Sequence, residues 1–526
     1  MNRFIYTALI ILGFLSLKLE AANIIPQPQK MKLGKGQFTL RASTTIAADK
    51  GSSQAARWFM SQVKKSTDYK LTTKSMKSAH IQLRVKKGEM GEEAYTLKVT
   101  GRKVTITAGG RAGVFYGCQS LLQLFPAEIY SKTPASGIEW TAPVVKIADS
   151  PKYEWRSFMI DLSRHYFPMD LLKDYVDWMA MHKLNRFHLH LTDSPAWRME
   201  IKAYPKLTTI GAKGSKSDKN APAQFYTQKE MKELVRYAKK RHVIVIPEID
   251  MPGHFAAAAR AYPELDGGAA TLNVTAPATQ KFLDAVFKEV REVFDTPYIH
   301  YGSDEVRHHN WDGRADMKAA MKKLGLKNQH ELEAWFDRKV AKDLLDKGFI
   351  PMAWDEAADF GIDKRAIVQW WRCLQPEKLV SAVKKGYKTI ISPADFSYFD
   401  YPYVKGEYGG PWEGMRNGGN SSKLIYNWQP IPKELSEEEA KNIIGFEACL
   451  WSEFIRDRKR AEFMSFPRMS AFAEQSWGRK DGQSFEQFEE KLKTQILRYK
   501  ILGINYRIPD LTTEERKKQQ PEAFKL

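Results

Sequence analysis

Val243-Ile244-Val245-Ile246-Pro247-Glu248-Ile249-Asp250-Met251-Pro252-Gly253-His254 opens on apolar, mostly β-branched residues and closes on Glu248, Asp250 and His254. A short apolar run bounded by Pro and Gly reads as a strand buried on both faces, as in parallel sheets. Seven more segments repeat the scheme: 157–162, 186–191, 298–301, 349–353, 367–370, 388–391 and 443–449. Helical patterns at 228–241, 278–294 and 331–347 fall between them. Strands alternating with helices predict parallel β/α units. Eight such strands close a (β/α)8 barrel, a TIM barrel, here assigned to residues 151–484.

The strands share a second property. The first leads to Arg164-His165, the second to His190 and Asp193, and the third to Glu248, Asp250 and His254. The fourth leads to Asp304-Glu305, the fifth to Trp354-Asp355-Glu356 and the sixth to Trp370-Trp371. Tyr398 and Asp400 follow the seventh, and Trp451 and Glu453 the eighth. In a β/α barrel the C-terminal strand ends form the functional mouth. A mouth of acids and tryptophans, with no phosphate-binding glycine loop, suits a neutral polyhydroxylated substrate. Glycoside hydrolysis needs a carboxylic acid there to protonate the leaving oxygen. Two other readings compete. His188 and His190 lie on one face of a strand, the spacing of a metal-dependent hydrolase, with His254 and His300 as further ligands. A catalytically dead glycan-binding barrel is the other, although such a barrel is expected to have lost the acid.

Upstream, residues 23–150 read as a small α/β domain. Strand patterns at Ile81–Val85, Tyr95–Val99 and 104–107 precede a helical pattern at 114–125. Residues 1–22 read as an export signal: Arg3, an apolar run from Phe4 to Leu17, then Ala21 and Ala22. The expected location is therefore periplasmic or extracellular, with no stable membrane span after cleavage. A long Gly-, Pro- and aromatic-rich loop occupies 401–439, and loops of that length are often functional. Residues 485–526 read as an amphipathic helix and a polar tail.

The chain has 526 residues and a formal charge of +20. Without residues 1–22, which include Arg3, Lys18 and Glu20, the charge is +19. No long basic run and no nucleic-acid module accompany it, so nucleic acid is excluded as the expected partner. A generally basic surface, with anionic polymers as secondary partners, is the expectation. Cys118, Cys373 and Cys449 are too few for a disulfide framework and lack metal-ligand spacing; buried free thiols are expected.

Four motifs together resemble glycoside hydrolase family 20, the β-N-acetylhexosaminidases. His300-Tyr301-Gly302-Ser303-Asp304-Glu305-Val306 looks like the family's His-x-Gly-Gly-Asp-Glu motif. The block from Lys183 to Asp193 with Trp197-Arg198, the block from Pro247 to His254, and the stretch from Pro467 to Trp477 follow in family order. Arg111 to Leu124 resembles the end of the family's N-terminal domain. Ser303 departs from the family's second Gly, and Ser194 stands where a second Asp is common.

The resemblance implies an exo-acting, retaining enzyme that removes terminal N-acetylglucosamine or N-acetylgalactosamine from oligosaccharides or glycoconjugates. Such enzymes use the substrate acetamido group as nucleophile, an exception to the two-carboxylate scheme. It implies Glu305 as general acid/base and Asp304 as the partner of the acetamido N–H and of the oxazolinium ion. Tyr398 would donate to the acetamido oxygen, and Asp193 with His254 would tune Glu305. Arg164, Asp400 and Glu453 would hold ring hydroxyls, while Trp354, Trp371 and Trp451 would wall the pocket. Neither metal nor organic cofactor is implied.

Overall fold

The computed structural model describes residues 22–268, 270–410, 418–479, 482–509 and 511–524. The export signal thus lies almost wholly outside the described residues, as does part of the long loop.

The N-terminal domain is a seven-stranded mixed sheet. Its spatial order is Lys30–Thr39, Thr141–Asp149, Tyr95–Val99, Val104–Ala108, Ile81–Val85, Thr45–Ala48 and Thr72–Thr73. The three strands read from sequence are present, the third one residue longer. Helices Ser53–Thr67 and Arg111–Leu124 cover one face, burying Phe59, Val63, Val114 and Phe115. Gly117 allows the close approach of helix and sheet, since a Cβ there would sit 2.6 Å from Ile106 Cγ2. The opposite face is wet and basic. Lys32 pairs in register with Lys146, and Lys146 with Lys98, and all three are exposed. Residues 22–150 hold 20 lysines and arginines against eight acids. The positive surplus is therefore concentrated in this domain rather than spread evenly.

The barrel closes as read. Its strands are Trp155–Asp161, Arg186–His190, Ile244–Met251, Tyr298–Gly302, Ile350–Trp354, Ile367–Trp370, Lys388–Ile391 and Ile443–Leu450. All neighbours pair in parallel, and the eighth strand pairs with the first through Gly445↔Trp155. The interior is layered. At the bottom Trp155, Ile246, Met352, Ile367, Ile390 and Ile444 form an apolar plug. At the top Met159, Trp354, Tyr398, Cys449 and Trp451 pack together. Between them lie His188, Glu248, His300, Gln369 and Glu447, all fully buried. Branched aliphatic residues usually fill barrel layers; here one layer is polar.

Buried ion pairs fix the two domains together. Lys183 Nζ is 2.9 Å from Asp149 Oδ2, and Trp477 Nε1 donates to Asp149 Oδ1 at 2.9 Å. Arg156 makes a two-pronged contact with Glu93 at 2.7 and 2.9 Å. The helix Phe485–Leu502 joins the same seam: Arg498 donates to Gln123 Oε1 at 3.0 Å, and Tyr499 OH is 2.9 Å from His182 Nε2. The tail is more than polar coil. It contains the helix Thr513–Gln519 and docks against the long loop, with Arg507 2.8 Å from Glu407. Cys118 and Cys449 are buried free thiols, whereas Cys373 is only partly buried.

Candidate active site

The polar strand ends converge. Arg164, His254, Asp304, Glu305, Trp354, Trp371, Tyr398, Trp451 and Glu453 line one cavity at the C-terminal mouth, with Ala394 and Tyr401. A larger cleft, about 1000 Å³, lies at the other end of the barrel, between the N-terminal domain and the strand starts. It lacks the acid–tryptophan set.

The backbone of the fourth strand's exit is unusual. Gly302, Ser303 and Glu305 have φ of 81°, 80° and 51°. Gly302 is required, because a Cβ would fall 1.7 Å from Asp250 Oδ1. Ser303 takes a conformation that favours glycine, at a cost of about 1–3 kcal/mol. The turn sends two consecutive carboxylates to different places: the Asp304 side chain is 12% exposed and Glu305 57%.

His254, also at positive φ, connects them. Its Nδ1 lies 3.2 Å from Asp193 Oδ1, and its Nε2 lies 3.5 Å from both Asp304 Oδ2 and Glu305 Oε2. Burial would lower the His254 pKa, but the charges of Asp193 and Asp304 hold it well above the usual range. Asp193 itself is buried behind the wall. Burial works to raise it, yet Arg164 and His254 keep it well below the usual range. Burial pushes Asp304 up to about 6. The hydrogen bond from His254 lowers Glu305. Asp193, His254 and Glu305 thus stand in line, with the two carboxylates on opposite ring nitrogens of His254.

Arg164 is ion-paired already. It lies 2.7 Å from Asp193, 3.4 Å from Glu453 and 3.4 Å from Asp161, and its guanidinium sits 5.0 Å over the Trp451 ring. Burial raises the Glu453 pKa. Trp354 donates to Glu248 at 3.0 Å. Trp371 stacks with Tyr398, centroids 6.5 Å apart and planes at 11°, and donates to Glu356. The choice of Trp371 over Trp370 agrees with the cavity: Ile367, Gln369 and Trp371 alternate inward, and Trp370 packs in the outer core. Asp400 is fully buried, next to the cavity-lining Tyr401 and close to Tyr398. Burial raises both phenols, and the charge of Asp400 adds to this.

Among the described residues, Asp304 Oδ1, Trp451 Nε1 and Glu453 Oε2 are buried at the cavity without a hydrogen-bond partner from the protein. Buried polar groups are nearly always paired, with protein, water or ligand.

The His188/His190 pair is committed differently from a metal site. His188 faces Glu447 at 2.8 Å and Glu248 at 3.1 Å. His190 faces Glu248 at 2.5 Å and Asp193 at 3.1 Å. His190 is within hydrogen-bond distance of a carboxylate at both ring nitrogens, which favours its protonated form. Against the opposing effect of burial, Glu447 and Glu248 raise His188 to about 9, and Glu248 holds His190 well up. Sequence reading found the histidines; Glu447, which faces His188, and Gln369, which donates to Glu447 at 2.6 Å, went unnoticed, although both alternate with apolar residues inside strands.

Both domains have known relatives. The family model "Glycosyl hydrolase family 20, catalytic domain" matches residues 153–480, and "Glycosyl hydrolase family 20, domain 2" matches residues 21–150. A beta-hexosaminidase of Porphyromonas gingivalis is 32% identical over 521 residues, which cover 93% of this chain; the chain spans 65% of that relative's length. The β-N-acetylhexosaminidase of Streptomyces coelicolor has a similar structure, with TM-score 0.80, 31% identity, and coverage of 94% of this chain and 98% of that one. An exo β-N-acetylglucosaminidase of Vibrio harveyi, solved with N-acetylglucosamine, has TM-score 0.83 and 27% identity, over 93% of this chain and 79% of that one.

Proposed function

This chain belongs to glycosyl hydrolase family 20, and from that premise we propose that it is an exo-acting, retaining β-N-acetylhexosaminidase. Its substrate is a terminal, non-reducing N-acetylglucosamine or N-acetylgalactosamine on an oligosaccharide or glycoconjugate. One observation carries the reading: consecutive residues supply a buried carboxylate, Asp304, on the cavity floor and an exposed one, Glu305, at its rim. The exposed acid meets the glycosidic oxygen and protonates it. The buried one accepts the acetamido N–H, turns the carbonyl oxygen toward the anomeric carbon and offsets the positive charge of the oxazolinium ion. Water then attacks the anomeric carbon, with Glu305 taking its proton, and configuration is retained. Tyr398 donates to the acetamido oxygen. Trp354, Trp371 and Trp451 enclose the acetamido methyl and the apolar ring face, and Arg164 and Glu453 take hydroxyls. Export, argued from residues 1–22 alone, belongs to the same proposal; among the described residues no helix is long and apolar enough to cross a membrane.

The test is a panel of aryl β-glycosides with anomeric configuration followed by proton NMR. Turnover of N-acetylglucosaminide or N-acetylgalactosaminide but not glucoside, with net retention, is expected. A thiazoline mimic of the bicyclic intermediate should bind more tightly than substrate, as transition-state-like species do. Inversion would falsify the substrate-assisted route. Binding without turnover would favour the dead barrel.

Asp304→Asn and Tyr398→Phe should both lower kcat, with Asp304→Asn the worse. The carboxylate both orients the amide and balances developing charge in a site of low dielectric, whereas the phenol only places an oxygen. Near-normal kcat in Asp304→Asn would remove the role given to Asp304.

A further inference from the structure

We propose that His308, His330 and Glu333 form a zinc-class metal site that ties the segment after Glu305 to the helix Gln329–Asp346. Their ligand atoms all lie within 4.8 Å of one another. His330 and Glu333 are three residues apart on that helix, so they share a face. His308 begins the short helical turn His308–Trp311, only three residues beyond Glu305. Its Nε2 contacts the Glu333 carboxylate directly. The two imidazoles meet at right angles, centroids 5.6 Å apart, and so approach the carboxylate from different directions.

The surroundings suit a cation. The Glu333 side chain is 3% exposed, and no lysine or arginine pairs with it among the described residues. A buried carboxylate normally has a cationic partner or a metal. His330 is exposed and His308 is 35% exposed, which leaves an approach from solvent and room for a water. Two histidines, one glutamate and a water make a four-coordinate zinc set. The other clusters of this kind among the described residues, such as His188 with Glu248 and His300, or Asp250 with His254 and Asp304, belong to the buried layer and the active site already described.

The neighbouring structure makes the site a brace. Gln329 Nε2 donates to Asp312 at 2.5 Å, and Trp311 Nε1 donates to Thr271 at 2.9 Å. A metal on His308 would add a bond from the same loop to the same helix, with Glu305 at the loop's near end.

The test uses the full chain, stripped with a chelator and titrated with Zn²⁺ against a chromophoric indicator, then with Co²⁺ to read coordination geometry by visible absorption. One Zn²⁺ per chain, a tetrahedral Co²⁺ spectrum and a raised melting temperature are expected. His330→Ala is the main variant, because an exposed residue can be changed without unfolding the chain; Glu333→Gln is the second. His330→Ala should weaken Zn²⁺ by more than about tenfold, since even outer-sphere partners of a metal matter on that scale. It should also abolish the thermal shift while leaving metal-free activity intact. No stoichiometric Zn²⁺ binding, or binding unchanged in His330→Ala, would overturn the site.

Discussion

Glu305→Gln is expected to slow hydrolysis of substrates with poor leaving groups by roughly 10²–10⁴-fold, the contribution of a positioned proton donor. A nitrophenyl glycoside, whose leaving group needs little protonation, should lose much less in the glycosylation step. The structure adds a condition. Without ligand, the His254 hydrogen bond lowers Glu305 while burial holds Asp304 up to about 6. That is the reverse of the order the reaction uses, in which Glu305 carries the proton and Asp304 the charge. Substrate corrects it. An acetamido N–H pointing at Asp304 favours its ionised form, and a sugar over Glu305 removes water and raises its pKa. For the free enzyme, kcat/KM should therefore fall as pH rises through about 6, where the Asp304–Glu305 pair loses its last proton. The alkaline limb of kcat, set by the complex, should lie higher, and Glu305→Gln should lack it. Equal losses on good and poor leaving groups would argue against Glu305 as the acid.

The parts of the fold legible in the sequence are those whose physics is local. Ile367–Trp370 and Lys388–Ile391 coincide with the strands read from sequence, because both faces of a parallel barrel strand are covered and the apolar run ends where the strand does. Lys30–Thr39 went unread for the opposite reason. It is an edge strand, exposed along most of its length, with an irregular register between Leu33 and Gln37, so no alternation marks it. Thr141–Asp149 is partly exposed too. Within the site, Glu305 was read at a strand end and from the family motif, and Trp371 was preferred to Trp370 from the motif alone, because adjacent strand residues point to opposite faces. Tyr401 and the burial of Asp400 depend on how the loop after the seventh strand folds back, which no local pattern encodes. The polar layer needed register as well: His188 and Glu447 come from strands separated by the first one, and only closure of the barrel brings them to 2.8 Å.

That layer is expected to dominate stability. Glu248 is fully buried, touches His188, His190 and His300, and accepts from Trp354. Burial opposes its charge, yet the three imidazoles, His190 first, hold it well below the usual carboxylate range. Glu248→Ala would leave His188 and His190 with one carboxylate fewer and would open a cavity beneath Trp354. Removing one partner of a buried ion pair costs about 3–5 kcal/mol, so a large fall in the denaturant midpoint is expected, larger than for Glu305→Gln at the exposed rim. The pH dependence separates charge from packing. The folded pKa of His188 is raised to about 9, so its contribution is full below the unfolded value, about 6.5, and is lost as pH rises through 9. Glu248, lowered, contributes above its unfolded value and loses that contribution in acid. The wild type should therefore lose stability on both sides of neutrality. Glu248→Gln keeps the volume but removes the charge, so the alkaline loss should begin at lower pH and be smaller. Thermal midpoints measured from about pH 6 to about pH 10 span the His188 transition. If the two proteins followed the same alkaline limb, the stabilising role of the Glu248 charge would have to be abandoned, and the fall in Glu248→Ala would be due to the cavity alone.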